Sequence, residues 1–408
     1  MKINLNVRVY SHLKPGLYHG SAALLDRITF FILFSITSQF FGADFLGRLS
    51  SALGIANLLM VVSDFGLPVL IQRESSKETD LSSLVTSSTI LKLINSLVFF
   101  IFIPVYTSFN NDLIFAEFTA AYLSILFFSF SNLFLAVYLG QQLNRKYFMI
   151  NASGHSAVIG IVLLVILVPE EWIVYTALIT GGVIQFLVVF MSKERPGLEI
   201  INLKALKNIF IKALPIGAGL IFVFAYNKSD ILIISALRNT EETGNYYSAY
   251  LLIRSFTVIT SFYLVNYFTL LSGSFVNNNE LFKRYVKESF TISIGLGIIF
   301  SIIFYFAGGW LLKIFLGNTS AEAVNIIRML SVSVVFMIMN YNLGVVLNSM
   351  NREKVPMTGA AVAFGLNLTG NLLFVPDFGA QASAVMVVLT ETVMFTILLF
   401  SFIIFQKN

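Results

Sequence analysis

The chain has no cysteine, so neither a disulfide nor a thiolate metal site enters its chemistry. It has only 3 histidines, His12, His19 and His155, and no two of them fall at metal-ligand spacing. Charged residues make up 12% of the 408, about half the share of an ordinary soluble domain. No Walker loop, dinucleotide-binding glycine fingerprint, HExxH or nucleophile elbow occurs. The connections between apolar runs are too short to hold a soluble catalytic domain. These absences exclude an ATP-driven pump on this chain and leave no enzyme signature; no cofactor is expected.

What fills the sequence is apolar: 57% hydrophobic residues, with 41 Phe. A soluble fold of this length cannot hide so much oily surface, so the composition reads as an all-α integral membrane protein. A helix crossing the hydrocarbon core needs about 20 apolar residues. Twelve such stretches are expected, at 21–42, 46–71, 84–106, 113–138, 148–168, 172–192, 209–236, 246–271, 287–309, 323–347, 357–375 and 379–405. Pro104, Pro169, Pro215, Pro356 and Pro376 fall at or near their ends, where helices stop or start. The first apolar run outlasts a signal-peptide core, so it reads as a retained span.

Orientation follows from the basic residues. With the N-terminus in the cytoplasm, the inner connections hold eighteen Lys and Arg, and the outer ones hold three, Arg48, Arg238 and Lys313. Cytoplasmic loops are enriched in just this way, so both termini are expected inside, in a bacterial cytoplasmic membrane. The net charge of +5 is then a topology signal aimed at anionic lipid and not a nucleic-acid signal.

The longest inner connection, "SKERPGLEIINLKALKNIFIK" (192–212), is basic and amphipathic. It divides the chain into six spans (1–192), a cytoplasmic connection (193–212) and six more spans (213–408). "GRLSSA" (47–52) and "GNYYSA" (244–249) occupy equivalent places in the two halves, each with Gly and then Ser-Ala at the same offset. Six spans per copy is an even number, so the duplication is the parallel kind, two six-helix lobes suited to alternating access.

Charges inside the spans mark function by default, because each costs several kcal/mol at that depth. The apolar run containing "FAYNKSDILII" (224–234) carries both Lys228 and Asp230. Two positions apart, they lie about 200° apart around a helix, so each needs its partner on another helix or in a cavity, either as interhelical salt bridges or as site residues. Asp230 shares a face with Tyr226 and Asn227. On the eighth span Tyr247, Tyr250, Arg254, Thr257 and Ser261 form one polar stripe. Arg254 could grip a phosphate bidentately, and the tyrosine rings could stack on sugar faces. Asp26 and Glu391 also lie deep, with Arg27 beside Asp26. Arg48 stands at an outer helix start. Asp64 and Glu117 fall near span ends, where interfacial hydration is the plain reading. Lys92 and Arg328 are placed to reach headgroups. His155 reads as a helix–helix hydrogen-bonding residue.

Four stretches carry a family likeness: "FFGADFLGRLSSALGIANLLMVVSDFGLPVLIQRE" (40–74), "YNKSDILIISALRNTEETGNYYSAYLLIRSF" (226–256), "VLNSMNREK" (346–354) and "VPDFGAQASAVMVVLTETVMF" (375–395). On these the whole chain resembles a Wzx-type polysaccharide (O-antigen) flippase of the multidrug/oligosaccharidyl-lipid/polysaccharide exporter (MOP) superfamily. The resemblance implies an undecaprenyl-pyrophosphate-linked oligosaccharide as cargo, moved from the inner to the outer leaflet, with the prenyl tail left in membrane lipid and polysaccharide polymerase machinery as a partner. It implies a cationic cavity in which Arg27, Arg48, Lys228 and Arg254 hold pyrophosphate, while Tyr247, Tyr250 and Asn227 contact sugar. Asp26, Asp230 and Glu391 would balance charge or couple transport to protons or sodium. Two other readings stay open: a cation-coupled multidrug exporter of the same superfamily, which needs an acidic or apolar cavity, and a membrane scaffold that transports nothing.

Overall fold

A computed structural model describes residues 4–75, 81–109, 115–192, 196–197, 199, 203–257 and 259–407. Over these residues the chain is helical, without a strand. In order the helices are α1 (Asn4–Asp64), α2 (Leu67–Ser75), α3 (Leu81–Phe109), α4 (Phe115–Gly140), α5 (Asn144–Val162), α6 (Glu171–Phe190), α7 (Leu203–Leu237), α8 (Thr240–Thr257), α9 (Ile259–Asn277), α10 (Asn279–Leu316), α11 (Ala321–Ser349) and α12 (Lys354–Lys407). A short 3-10 turn, Leu163–Ile166, extends α5. Among the described residues 8 helices are long and apolar enough to cross a membrane. Along α10, Ile298, Ile299, Ile302, Phe306 and Trp310 stay exposed, as side chains facing lipid do.

Two of those apolar stretches, 45 residues at Gly20–Asp64 and 53 at Lys354–Gln406, are roughly twice the ~20 residues that one crossing requires. Each is broken at a glycine outside helical geometry: Gly42 (φ 80, ψ −172) and Gly379 (φ 62, ψ −150). Only glycine takes positive φ without steric cost. Each stretch therefore supplies two helical segments, with the breaks at the junctions between the expected spans 21–42 and 46–71 and between 357–375 and 379–405.

Other boundaries differ from expectation. The second span stops at Asp64, because Phe65 and Gly66 take positive φ (42 and 77), and Leu67–Ser75 forms a separate short helix. Gly66 cannot carry a side chain, since a methyl there would run into the Gly217 nitrogen and Ile216. The expected eighth span is helical on both sides of residue 258, which lies outside the described residues, and its polar stripe places Tyr247, Tyr250, Arg254 and Thr257 on α8. Ser261 falls on α9, and its side chain lies outside the described residues. Pro104 and Pro215 do not end helices. Both lie inside them, as membrane helices tolerate when neighbouring groups satisfy the freed carbonyl. In the basic connection, residues 193–195, 198 and 200–202 lie outside the described residues, and 203–212 begin α7. There Lys204, Lys207 and Lys212 are exposed while Ile209 and Ala213 are buried, an amphipathic helix start.

By its contacts the chain forms two compact units, Met1–Phe40 with Ala52–Phe224 (unit 1) and Phe41–Ser51 with Ala225–Asn408 (unit 2). The core of unit 1 gathers Leu67, Leu70, Leu133, Tyr138 and Val189, with Ile209 from the start of α7. Its α5 and α6 meet backbone to backbone: a methyl on Gly154 would lie 2.8 Å from the Gly181 carbonyl, and one on Gly181 the same distance from the Gly154 carbonyl. Small residues at such crossings let helices associate where no hydrophobic force drives them together. The core of unit 2 is built from Leu271, Phe282, Val286, Leu343, Leu347 and Phe402.

The two repeated hexapeptides meet inside unit 2. A methyl on Gly47 would overlap the Thr240 carbonyl, and one on Gly244 would overlap the Ala43 carbonyl. Thr240 precedes Gly244 by four residues, and Ala43 precedes Gly47 by four. This reciprocity is what two like helix starts crossing about a local twofold would give.

Candidate functional site

In unit 2 the charged stretch of α7 faces α8 and α12. Asp230 is 4% exposed and accepts hydrogen bonds from the Tyr246 hydroxyl (3.0 Å) and the Asn371 amide (3.0 Å). Ser229 donates to Asn367 Oδ1 (2.8 Å), and Ser383 donates to Asn371 Oδ1 (2.5 Å). A carboxylate this deep is costly unless donors satisfy it. Here the hydrogen-bond donors are neutral, a hydroxyl–amide network in place of the interhelical salt bridge that is one of the two readings the sequence leaves open.

The cations stand above this network. Lys228 Nζ lies 5.7 Å from the Tyr247 ring centre and 5.9 Å from that of Tyr250. The Arg254 guanidinium carbon lies 5.2 Å from the same Tyr250 ring, and its Nη2 donates to Asn227 Oδ1 (3.4 Å). The Tyr250 hydroxyl donates to the Asn227 carbonyl (3.0 Å). Lys228, Arg254, Tyr247, Tyr250 and Asn227 thus form one cluster. Both tyrosines are buried, at 6% and 7% exposure, so in this conformation their rings underlie the cations and do not face open space. Arg254 also lines a cavity of about 400 Å³ with Asn340, Tyr341, Asn348 and Glu391. The Asn340 amide donates to Glu391 Oε2 (2.8 Å) and to its carbonyl (2.9 Å).

Arg48, also in unit 2, is engaged elsewhere. Its Nε lies 3.3 Å from Asp44 Oδ2 and its guanidinium lies 5.1 Å from the Phe45 ring centre. Thr240 donates to Asp44 Oδ1 (2.5 Å). In the same unit Glu242 accepts from Arg238 (2.8 Å) and from the Ala380 backbone N–H (2.6 Å), which caps the helix segment that follows Gly379. Arg238 Nη1 also donates to the Pro376 carbonyl (3.0 Å).

Arg27 and Asp26 belong to unit 1, where Arg27 is exposed. Asp26 Oδ1 lies 3.5 Å from His155 Nε2, with the Asp26 side chain 49% exposed. His155 stacks on Phe128, ring centres 5.5 Å apart. These groups line a second cavity of about 400 Å³ with Asn57, Asn132, Asn151 and Gln185. Lys92 and Asp64 are not interfacial as expected. Lys92 has no exposed surface; it pairs with Asp64 and donates to Ser129 Oγ (2.5 Å), which donates to Asp64 Oδ2 (2.8 Å). Glu117 is likewise buried, at 8% exposure.

Several of these residues were not singled out from the sequence: Tyr246, Asn340, Asn367 and Asn371. The last two left a signal, since two amides at i and i+4 on an otherwise apolar span share one face.

Comparison with known proteins fits this architecture. The family described as "Polysaccharide biosynthesis protein" matches residues 13–268, and the MatE family matches residues 215–373. No curated protein matches the chain. Among solved structures, the lipid II flippase MurJ in an inward closed conformation is similar over 94% of this chain and 87% of its own, with TM-score 0.74 and 12% identity. An inward-facing multidrug resistance MATE transporter of the MOP superfamily is similar over 92% and 91%, with TM-score 0.64 and 12% identity. A MOP superfamily transporter from Pyrococcus furiosus is similar over 92% and 94%, with TM-score 0.54 and 13% identity. The fold is the all-α, multi-pass membrane fold of MOP-superfamily transporters, and the chain belongs to the polysaccharide biosynthesis protein family.

Proposed function

We propose that the chain is a flippase that carries an undecaprenyl-pyrophosphate-linked oligosaccharide from the inner to the outer leaflet of the bacterial cytoplasmic membrane by alternating access. The observation that carries this reading is the pair of cations, Lys228 and Arg254, gathered on one buried tyrosine ring. Two like charges so close repel each other, and a pyrophosphate between them relieves that repulsion. Moving so concentrated an anion through the membrane requires replacing its hydration with fixed donors, and a guanidinium can meet a phosphate with two parallel hydrogen bonds. Membership of a polysaccharide biosynthesis family and a fold shared with a lipid II flippase support the same cargo class. Asp230 lies within electrostatic range of Arg254, and Glu391 lines the Arg254 cavity. Both offset part of the positive charge and keep binding weak enough for release; they, with Asp26, are also the groups through which protons or sodium would couple. Arg27 and Arg48 complete the proposed basic set at other stages of the cycle. Asn227, Tyr247 and Tyr250 hold the two cations in place. Polysaccharide polymerase machinery would take the glycan at the outer leaflet.

The match to the MatE family favours a second reading, a cation-coupled multidrug exporter. Charge reversal separates the two. In the flippase, Arg254→Glu abolishes surface glycan in a complemented deletion strain and Lys228→Ala lowers it, while both proteins insert normally. In the exporter, Arg254→Glu is tolerated and resistance to cationic compounds is the activity that the acidic residues control. Full surface glycan from both variants would refute the cation site.

A further inference from the structure

The cavity of unit 1 has no part in the cation site. Its chemistry is different. Asn57, Asn132, Asn151 and Gln185 bring four amides to its wall, Asp26 and Asp64 bring carboxylates, and among the described residues no Lys or Arg lines it. Lys92 pairs with Asp64 from behind the wall, which leaves the Asp26 carboxylate, half exposed, as the charge at the mouth. Such a wall repels phosphate. It is also a poor seat for a bare ion: no group of three or more metal-ligating side chains occurs among the described residues, and about 400 Å³ falls in the range of small-molecule pockets.

Polar atoms on the wall lack a hydrogen-bond partner. His155 Nδ1 and Gln185 Oε1 make no hydrogen bond, although the residues are only 4% and 1% exposed. Buried polar atoms left unsatisfied cost free energy, so these two favour a ligand that brings both donors and acceptors. An amide offers donors and acceptors, and a carboxylate offers acceptors only. Phe30 and Phe128 also line the cavity, with Phe128 stacked at 5.5 Å on His155. A ligand with many hydroxyls and one apolar C–H face meets all of these demands.

We propose that this cavity is a sugar subsite, in which the amides, Asp26 and His155 bind a neutral hydroxylated ring of the glycan while Phe128 lies against its apolar face. The inference rests on the flippase reading and deepens it: the cation pair Lys228 and Arg254 of unit 2 recognises pyrophosphate, and the amide and carboxylate wall of unit 1 recognises sugar. It also explains why Tyr247 and Tyr250 can be buried beneath the cations.

The test uses the full-length protein, purified in detergent. The probe is the reducing oligosaccharide released by mild acid from the carrier lipid that accumulates in a deletion strain; it carries no phosphate. Saturation-transfer NMR should show it binding the wild type. Asn151→Ala combined with Gln185→Ala should weaken binding at least ~10-fold, as the loss of two ligand hydrogen bonds worth about 1 kcal/mol each requires. Leu187→Ala, on the exposed face of the same α6, should retain it. The near-isosteric Gln185→Glu, checked by gel filtration and melting temperature, guards against reading a misfolded double variant as a lost site. Undiminished binding by a folded double variant overturns the subsite. So does a sodium-23 signal that responds to Asp26→Asn while no sugar signal appears, which would mark a cation site. If the lipid-linked glycan accumulates but its free sugar does not bind, the subsite falls and the flippase reading stands. If no such glycan accumulates, the flippase reading falls and takes the subsite with it.

Discussion

Lys92 is the most exacting single residue in unit 1. Its ammonium has no exposed surface and is held by Asp64 and Ser129. Breaking a buried pair by removing one partner leaves an uncompensated charge and costs about 3–5 kcal/mol. Asp64→Leu should therefore destabilise the detergent-purified protein by that order, seen as a lower melting temperature. Lys92→Met with Asp64→Leu should recover most of the loss, and additive losses would contradict the pairing. The sequence could not supply this pair. The two residues are 28 positions apart on α1 and α3, and their places near span ends made headgroup contact the simpler reading. Asp230 was legible as a functional charge but its partners were not: the expected polar stripe took in Tyr247 and Tyr250, whereas it is Tyr246 that donates to Asp230. A one-residue shift around a helix turns a side chain by about 100°, and only packing decides which of three neighbouring tyrosines reaches Asp230.

At the scale of elements, glycines decide where helices bend and how closely they approach. Gly47→Val places its side chain on the Thr240 carbonyl, so α1 and α8 must separate. We expect a loss of about 1–3 kcal/mol, the usual cost of overpacking, read from thermal unfolding. Gly160→Ala, on α5 with open space around it, should be neutral or stabilising by up to about 1 kcal/mol through helix propensity. Equal effects at the two sites would refute the close crossing. Gly379→Ala combines positive φ with overlap of Glu242 Oε1 and should lower stability by at least ~1–2 kcal/mol. The hexapeptide likeness was visible in the sequence, and so were most span positions, because both depend on local pattern. The place of Pro104 and Pro215 inside helices was not. Proline is a helix stop only where nothing else satisfies the freed carbonyl.

At the scale of the whole molecule, topology and transport are the claims at stake. The absence of native cysteine makes single-cysteine labelling clean. A cysteine at Thr240 should react with an impermeant maleimide added to intact cells, and one at Lys204 should react only after permeabilisation; the reverse pattern would invert the orientation. The cargo is tested most directly by glycan accounting in a strain lacking this gene. Lipid-linked intermediates are extracted and surface polysaccharide is quantified, with and without a plasmid copy. The account predicts complete oligosaccharide units accumulating on undecaprenyl pyrophosphate, loss of surface polymer, and restoration of both by the plasmid. Unchanged surface glycan with heightened sensitivity to cationic compounds would contradict it and move the site to the acidic residues of an exporter.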